Sequence, residues 1–256
     1  MTLVRVAFIS DQGKVRRVNE DAGGIFLHPH GYYLVVVADG MGGHSAGDVA
    51  STMAVEKMQD LWLNVPELSR PIDAEKWLLS SIEKINTEIY EHAEQHKDYE
   101  GMGTTIVVAI CTQEFITLGN VGDSRGYIFF EDRIRQITED HSFVNALVQS
   151  GEISKEDAEH HPKKNLLLKS LGSKGQIKPN IYTITIEDRN IILLCSDGLT
   201  NKIDERLMTE IVMSDVSSLD QRARHLVDVA NEHGGEDNIT IALVEFDLIV
   251  ESEGVE

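Results

Sequence analysis

The 256-residue sequence has few cysteines, few prolines and no long apolar run. Its two cysteines, Cys111 and Cys195, lie inside apolar segments, which favours buried thiols over a disulfide framework and gives no sign of an oxidising compartment. No apolar stretch approaches the ~20 residues that a membrane-spanning helix needs, and the N-terminus lacks the apolar core of a signal peptide. The sequence therefore predicts a cytoplasmic protein without a membrane segment.

Basic residues are also scarce. Lysine and arginine number 23 against 43 aspartates and glutamates, for a net charge of -20. A phosphate backbone repels such a chain, which argues against general nucleic-acid binding. No segment rich in proline, serine or glycine and no internal repeat divides the sequence. We expect a single domain over residues 1–247, followed by an acidic tail over 248–256.

Apolar periodicity separates strand-like from helical segments. Strand-like runs lie at about 4–9, 32–38, 104–111, 115–120, 125–130, 133–137, 181–186, 190–194 and 239–246, the pair 181–186 and 190–194 being expected as a hairpin. Helices are predicted at about 46–62, which Ser45 can cap, and at 72–95, 201–214 and 219–233. Two shorter helices lie within 141–165, a polar segment typical of a mobile flap, and Ser154 with Asp157 is predicted to form a capping box at the start of the second. Hairpins without regular βαβ units predict an α+β fold, with antiparallel sheets and helices outside.

Four apolar runs meet an aspartate at one end. Asp39, Asp123 and Asp197 close three of the runs, and Asp237 precedes the fourth. One such aspartate is ordinary turn chemistry. Four of them, with the acidic pair Glu20–Asp21, predict a cluster of carboxylates, which repel each other unless a cation lies between them. Because no set of His and Cys accompanies these oxygen ligands, the pattern indicates a site for Mg²⁺ or Mn²⁺ rather than zinc.

These aspartates belong to short motifs that follow one another over almost the whole chain. The motifs are Ser10-Asp11-Gln12-Gly13 with Arg16 and Asn19-Glu20-Asp21, Asp39-Gly40-Met41-Gly42-Gly43-His44, Gly122-Asp123-Ser124-Arg125, Asp140-His141-Ser142, His161-Pro162-Lys163-Lys164-Asn165, Cys195-Ser196-Asp197-Gly198 and Glu236-Asp237-Asn238. In this order the set resembles the metal-dependent serine/threonine protein phosphatases of type 2C, the PPM family, in its bacterial form. The resemblance covers roughly residues 4–247.

The resemblance implies a four-layer α-β-β-α sandwich with two Mn²⁺ or Mg²⁺ ions at one end and a weaker third ion. It implies that Asp39 bridges the two ions, with the carbonyl of Gly40 on one of them and Asp197 and Asp237 on the other. These three aspartates would be the catalytic set. Glu20 would act through a water, and Asp21 would orient ligands or waters.

Three further roles are implied. Asp123 corresponds to the ligand of the third ion, with Asn165 of the flap as its helper. Arg16 matches the arginine that holds the substrate phosphate, and its planar fork suits a phosphoryl group better than a lysine would. Met41 stands where eukaryotic relatives have a histidine proposed as general acid, which leaves that role without an assigned residue.

The implied reaction is hydrolysis of phosphoserine and phosphothreonine on proteins by water held between the ions. Phosphorylated proteins are the expected partners, among them a bacterial Ser/Thr kinase and its substrates, and a monomer is expected. The alternative is a metal-binding pseudophosphatase that acts as an interaction module, which would be expected to lack a core aspartate or Arg16. A calcium-binding structural domain would place its ligands in one short loop, whereas these span residues 20 to 237.

Some residues keep a structural interpretation. Asp123 is either a metal ligand or a turn residue that hydrogen-bonds Arg125. His44 is expected to support the helix that Ser45 caps, and His141 to anchor the flap.

Overall fold

The structure, a computed structural model, describes residues 2–42, 46–131, 133–187 and 189–248. Its strands are β1 (Thr2–Asp11), β2 (Asp21–Leu27), β3 (Tyr33–Met41), β4 (Gly103–Thr104), β5 (Ile106–Cys111), β6 (Phe115–Val121), β7 (Arg125–Phe130), β8 (Arg133–Gln136), β9 (Asn180–Thr185), β10 (Ile191–Cys195) and β11 (Ile239–Leu248). Its helices are α1 (Ala46–Trp62), α2 (Pro71–Gln95), α3 (Phe143–Gln149), α4 (Lys155–Glu159), α5 (Asp197–Thr200), α6 (Glu205–Val212) and α7 (Leu219–Glu232).

The strands form two antiparallel sheets. One has five strands in the order β1-β11-β10-β7-β8. The other has the order β2-β3-β5-β6-β9, with the short β4 paired to β3. This arrangement agrees with the predicted α+β class.

Alternating side chains on each strand supply apolar groups to both faces of each sheet. On β3, Leu34, Val36 and Ala38 join a core with α1 and α2, whereas Val35 and Val37 belong to the core between the sheets. A third core lies between the five-stranded sheet and the helices α6 and α7. The molecule is a four-layer α-β-β-α sandwich, and the predicted fold is confirmed.

The predicted hairpin over 181–186 and 190–194 is wrong. β9 pairs with β6 in one sheet, whereas β10 pairs with β7 and β11 in the other. The connection between them therefore crosses from one sheet to the other. Apolar periodicity identifies a strand but does not name its partner, so two adjacent strands with a polar turn predict a hairpin by default.

Two other elements differ from the prediction made from the sequence. β2 is not predicted, because Gly23 and Gly24 in its middle weaken the strand signal. The helix predicted from residue 201 begins at Glu205, where the side chain of Asp204 caps the first turn. The preceding Asp197–Thr200 forms the separate short helix α5.

The segment 141–165 contains two short helices, as predicted. Ser142 caps α3, and Ser154 with Asp157 forms the expected capping box on α4. Within the described ranges, no helix is both long and apolar enough to cross a bilayer. The motif residue Gly43, the predictions for His44 and the Ser45 cap, and the prediction for the acidic tail beyond residue 248 fall outside the described residues.

Candidate metal centre

Two of the predicted aspartates meet at one end of the six-stranded sheet. Asp39 lies near the end of β3, and Asp21 is the first residue of β2. The antiparallel register places these two residues directly opposite each other. Facing residues have Cβ atoms about 5 Å apart, so strand pairing alone brings the two carboxylates together.

Two buried threonines hold the main chain of Asp39. Thr105 Oγ1 accepts a hydrogen bond from the Asp39 N–H at 2.9 Å, and the Thr105 N–H donates to the Asp39 carbonyl at 2.8 Å. Thr104 Oγ1 donates to the same carbonyl at 2.9 Å. Thr105 Oγ1 also lies 2.7 Å from Ser124 Oγ, beside Asp123. Asp39 is therefore tied to its own sheet and to the turn that carries Asp123.

Asp197 and Asp237 come from the five-stranded sheet. Because β10 and β11 are antiparallel neighbours, the end of β10 lies beside the start of β11. Asp197 follows β10 and Asp237 precedes β11, so both stand at the same edge. Between them, the Ser196 N–H donates to the Thr240 carbonyl at 3.0 Å.

Burial raises the pKa of four aspartates at this end of the sandwich, and that of Glu20. It raises the pKa of Asp21 and of Asp123 to about 7, and Asp197 adds to both shifts through its charge. It also raises the pKa of Asp39, where Asp21 is the next cause, and that of Asp197, where Asp237 is the next cause. All five aspartates remain partly exposed, so the cluster is open to solvent.

Asp123 lies in the turn between β6 and β7, which belong to different sheets. Within the part of the chain that the structure describes, the guanidinium of Arg125 forms no hydrogen bond with Asp123. It instead donates to both oxygens of Asp140, with Nη2 at 2.7 Å from Oδ2, and to the hydroxyl of Tyr127. Residue His141 attaches the segment 141–165 to this turn, because its N–H donates to the Gly122 carbonyl at 2.9 Å and its Nδ1 accepts from the Gly122 N–H at 3.2 Å.

Arg16 lies on the loop between β1 and β2, at the edge of the cluster. Its Nη2 donates to Asp237 Oδ2 at 2.8 Å, and its Nη1 lies 3.9 Å from Glu20 Oε2. The side chain is 47% exposed, so its guanidinium group is accessible to a molecule that binds from solution. The positive group thus stands where the carboxylate cluster opens.

Asn238 holds this loop in place. Its Nδ2 donates to the carbonyls of Gln12 at 2.8 Å and Val18 at 3.0 Å. Its Oδ1 accepts from the Glu20 N–H at 2.8 Å. Asn238 is 3% exposed, and one buried side chain therefore positions the start and the end of the loop that carries Arg16.

Two glycines bring separate main-chain segments close together at the site. A Cβ on Gly40 would overlap the Gly47 carbonyl and lie 2.5 Å from the Glu20 carbonyl oxygen. A Cβ on Gly198 would overlap the Asn238 carbonyl. Both Asp-Gly pairs therefore need glycine for packing, beyond the preference of a turn for that dipeptide.

The donor set fits hard divalent cations. It consists of carboxylate and main-chain oxygens. Burial, and after it the neighbouring carboxylates, raises the pKa of Asp21, Asp39, Asp123 and Asp197, and a cation between them would offset both effects. In the conformation seen, no group of three or more His, Cys, Asp or Glu side chains in the described ranges is arranged to hold a metal ion. Asp237 is paired with Arg16, and Asp197 accepts a hydrogen bond from Asn201 at 3.0 Å.

The structure brings most of the predicted residues together, with one exception. Asn165 is exposed on the turn after α4, and no hydrogen bond in the described part of the chain connects it to the carboxylates. The sequence pattern did not identify Thr105, Ser196 or Asn238 as supports of the site. Ser196 and Asn238 adjoin predicted aspartates, and this adjacency was the only available signal.

Comparison with known proteins places the chain in a family. Residues 13–233 match the family model described as protein phosphatase 2C. The chain is 47% identical over 241 residues to the serine/threonine phosphatase stp of Listeria monocytogenes, covering 94% of this chain and 95% of that protein. It is 36% identical over 241 residues to the protein phosphatase PhpP of Streptococcus pneumoniae, covering 94% and 97%.

Solved structures agree with these relatives. The serine/threonine phosphatase Stp1 from Staphylococcus aureus superimposes with a TM-score of 0.89 at 35% identity, covering 95% of each chain. The catalytic domain of the serine/threonine phosphatase PstP, in complex with two manganese ions, superimposes with a TM-score of 0.84 at 30% identity, covering 97% of this chain and 100% of that one. The chain therefore belongs to the protein phosphatase 2C family, and the prediction of a bacterial-type serine/threonine phosphatase is confirmed.

Proposed function

We propose that Asp39, Asp197, Asp237 and the carbonyl of Gly40 hold two Mn²⁺ or Mg²⁺ ions with which this phosphatase hydrolyses phosphoserine and phosphothreonine on proteins. The observation that carries the proposal is the meeting of carboxylates from both sheets at one solvent-open end of the sandwich. The manganese ions of PstP, a relative with the same fold, support the choice of ion. Glu20 acts through a water in this proposal, and Asp21 orients the ligands.

Ions held by these residues would lower the pKa of a bound water and offset the negative charge that develops on the phosphoryl group. The contribution of the chain is to position the substrate. Arg16 offers a two-pronged donor to the phosphoryl oxygens, and it can exchange its exposed contact with Asp237 for a substrate phosphate. Asn238 fixes the position of the loop that carries Arg16 relative to the carboxylates. Less conformational freedom is therefore lost when the phosphate binds.

Asp123 is assigned to a third, weaker ion, with Asn165 as its helper from the flap. The assignment of Asp123 is supported by its partial exposure, its raised pKa and its link through Ser124 and Thr105 to Asp39. Arg125, the alternative partner of Asp123, donates its hydrogen bond to Asp140 instead.

The biological setting belongs to the same proposal. We infer that residues 1–247 act as one monomeric phosphatase domain in the cytoplasm, with a flap at about 141–165. Its partners would be phosphorylated proteins, including a Ser/Thr kinase that it opposes and the substrates of that kinase. The buried free thiols of Cys111 and Cys195 fit a reducing compartment.

The test is phosphatase activity on a phosphothreonine peptide after EDTA treatment, with Mn²⁺, Mg²⁺ or Ca²⁺ added back. We expect activity to return with Mn²⁺ or Mg²⁺ and not with Ca²⁺, because the smaller ions suit a compact octahedral site. A folded protein that binds Mn²⁺ and hydrolyses neither the peptide nor p-nitrophenyl phosphate would instead support the pseudophosphatase alternative.

A further inference from the structure

One segment of this acidic chain carries only positive charge. Between Glu159 and Glu187 there is no aspartate or glutamate, whereas the chain as a whole has 43 of them. The same stretch contains five lysines, at positions 163, 164, 169, 174 and 178. We call residues 163–178 the lysine segment.

The lysines of this segment are available to a partner. Four of the five are exposed, and Lys169 is partly exposed. None of them is within ion-pair distance of a carboxylate of the described residues. Lys163 lies 5.5 Å from the ring centroid of Phe143, and Lys169 donates to the Lys178 carbonyl at 3.5 Å. Their charges are therefore not neutralised within the molecule.

Two leucines add an apolar part to the same surface. Leu166 is 47% exposed and Leu168 is 54% exposed. They flank Leu167, which forms an isolated β-bridge with Ser142, and lysines lie on both sides of them in the sequence, so a bound chain could contact apolar and positive groups together.

The lysine segment lies next to the metal centre. Leu171 pairs with Thr104, and Thr104 pairs with Gly40. Because neighbouring strands are about 4.8 Å apart, the segment runs about 10 Å from Gly40. Leu168, three residues before Leu171, lies beside the Asp123 turn, since its N–H donates to the carbonyl of His141 at 2.8 Å and the His141 N–H donates to the Gly122 carbonyl.

The main chain of the segment is fixed at two further points. The Phe143 N–H donates to the Leu166 carbonyl at 2.8 Å. Beyond Leu171, the buried Asn86 accepts from the N–H groups of Gly172 and Ser173 and donates to the carbonyls of Ser173 and Gly175. The surface is therefore ordered before any partner binds, which lowers the entropic cost of binding.

We propose that the lysine segment binds an acidic stretch of the phosphoprotein substrate, beginning about three residues from the phosphorylated residue, at about 3.3 Å per residue. The inference rests on the proposed phosphatase function and adds a substrate class to it. A molecule with net charge -20 repels acidic proteins at a distance. A local row of lysines attracts an acidic stretch only at its own part of the surface. The leucines favour an acidic stretch that includes an apolar residue.

The experiment compares two phosphothreonine peptides of equal length, one with Asp, Glu and Leu at about three to six residues from the phosphothreonine and one with Ser, Gln and Ala there. We expect wild-type kcat/KM to be about tenfold higher for the acidic peptide, and the difference to shrink as salt is added. The triple variant Lys163→Glu, Lys164→Glu, Lys169→Glu should lose the difference and keep wild-type activity on p-nitrophenyl phosphate. Lys76→Glu, an exposed charge reversal near the start of α2, is the matched control and should keep the difference.

The outcomes separate this inference from the proposed function. Equal kcat/KM for both peptides, with normal activity on p-nitrophenyl phosphate, would overturn the docking surface and leave the phosphatase intact. If the triple variant kept the preference for the acidic peptide, the binding surface would lie outside the lysine segment, and the inference would be refuted. Wild-type protein that sediments with phosphatidylglycerol vesicles through these lysines, without any peptide preference, would assign the segment to an anionic membrane instead. Metal-loaded wild-type protein that hydrolyses neither peptide nor p-nitrophenyl phosphate would count against the proposed function itself.

Discussion

The hydroxyl of Ser196 donates a hydrogen bond of 2.7 Å to Asp21 Oδ2, and this contact joins the two sheets across the candidate metal centre. Ser196 follows β10 in one sheet, and Asp21 begins β2 in the other. The carboxylates therefore meet at a seam between two sheets rather than within one loop. Several consequences of burying them together can be measured.

The first prediction concerns pH and metal removal. Burial raises the pKa of Asp21 and of Asp123 to about 7, from an ordinary value of 3.8. Between those values the folded metal-free protein holds protons that the unfolded chain has released, so stability falls as pH rises through about 4 to 7. In EDTA we expect Tm to be roughly 5 °C lower at about pH 7.5 than at about pH 5.5.

Saturating Mn²⁺ should remove most of that fall, because the ions replace the protons. Calorimetric titrations with Mn²⁺ near neutral pH, in two buffers of different ionisation enthalpy, should show proton release. Asp21→Asn should reduce the fall in Tm, whereas the exposed Asp60→Asn should not change it. A metal-free protein with equal Tm at both pH values would contradict the prediction.

The second prediction separates the two-ion core from the third ion. Asp39→Asn should lose Mn²⁺ binding and activity together, with kcat lower by about a thousandfold or more, because charge is removed from the residue that we propose to bridge the two ions. Asp123→Asn should still bind two Mn²⁺ ions while its turnover is lower. Calorimetric stoichiometry and steady-state kinetics measure both properties, and equal metal loss in the two variants would refute the distinction.

The third prediction concerns Gly40→Ala. The added Cβ would overlap the Gly47 carbonyl, and both partners are main chain held by strand and helix, so neither can move freely. We expect roughly 3 kcal/mol or more of lost stability in urea unfolding, together with loss of activity. Gly31→Ala is the control, because it has positive φ but no atom within 4 Å of the new Cβ, and backbone strain alone costs about 1 kcal/mol. Similar losses in both variants would mean that close packing at Gly40 is unimportant.

The fourth prediction concerns Thr105→Val, which keeps the shape of the side chain and removes its hydroxyl. The Asp39 N–H would lose its acceptor, and Ser124 would lose its link to Asp39. We expect Mn²⁺ affinity and kcat to fall by about 10- to 100-fold, as for other groups that orient metal ligands. Thr117→Val removes a hydroxyl from β6 that contacts Thr183, and should cost stability alone. If Thr105→Val also changes only stability, the threonine does not position Asp39.

The sequence pattern predicted the elements well where local chemistry decides them. Helix α1 has the predicted bounds, and α2 and α7 differ from theirs by one residue at one end, because their apolar stripes repeat at helical spacing. The capping box at Ser154 and Asp157 was predicted for the same local reason. The crossing between β9 and β10 was not, because the partner of a strand depends on residues far away in the chain.

At the site, the sequence alone determined which side chains we propose to carry the chemistry. The aspartates stand at the ends of apolar runs, and a strand that leaves the core must expose its next residue, so Asp39, Asp197 and Asp237 could be identified one by one. Only the tertiary structure decided how they are held. Thr105, Ser196 and Asn238 act across strand pairs and between sheets, over separations of up to 226 residues, as between Asn238 and Gln12. Such contacts arise from the packing of the two sheets, and no local pattern of residues encodes their geometry.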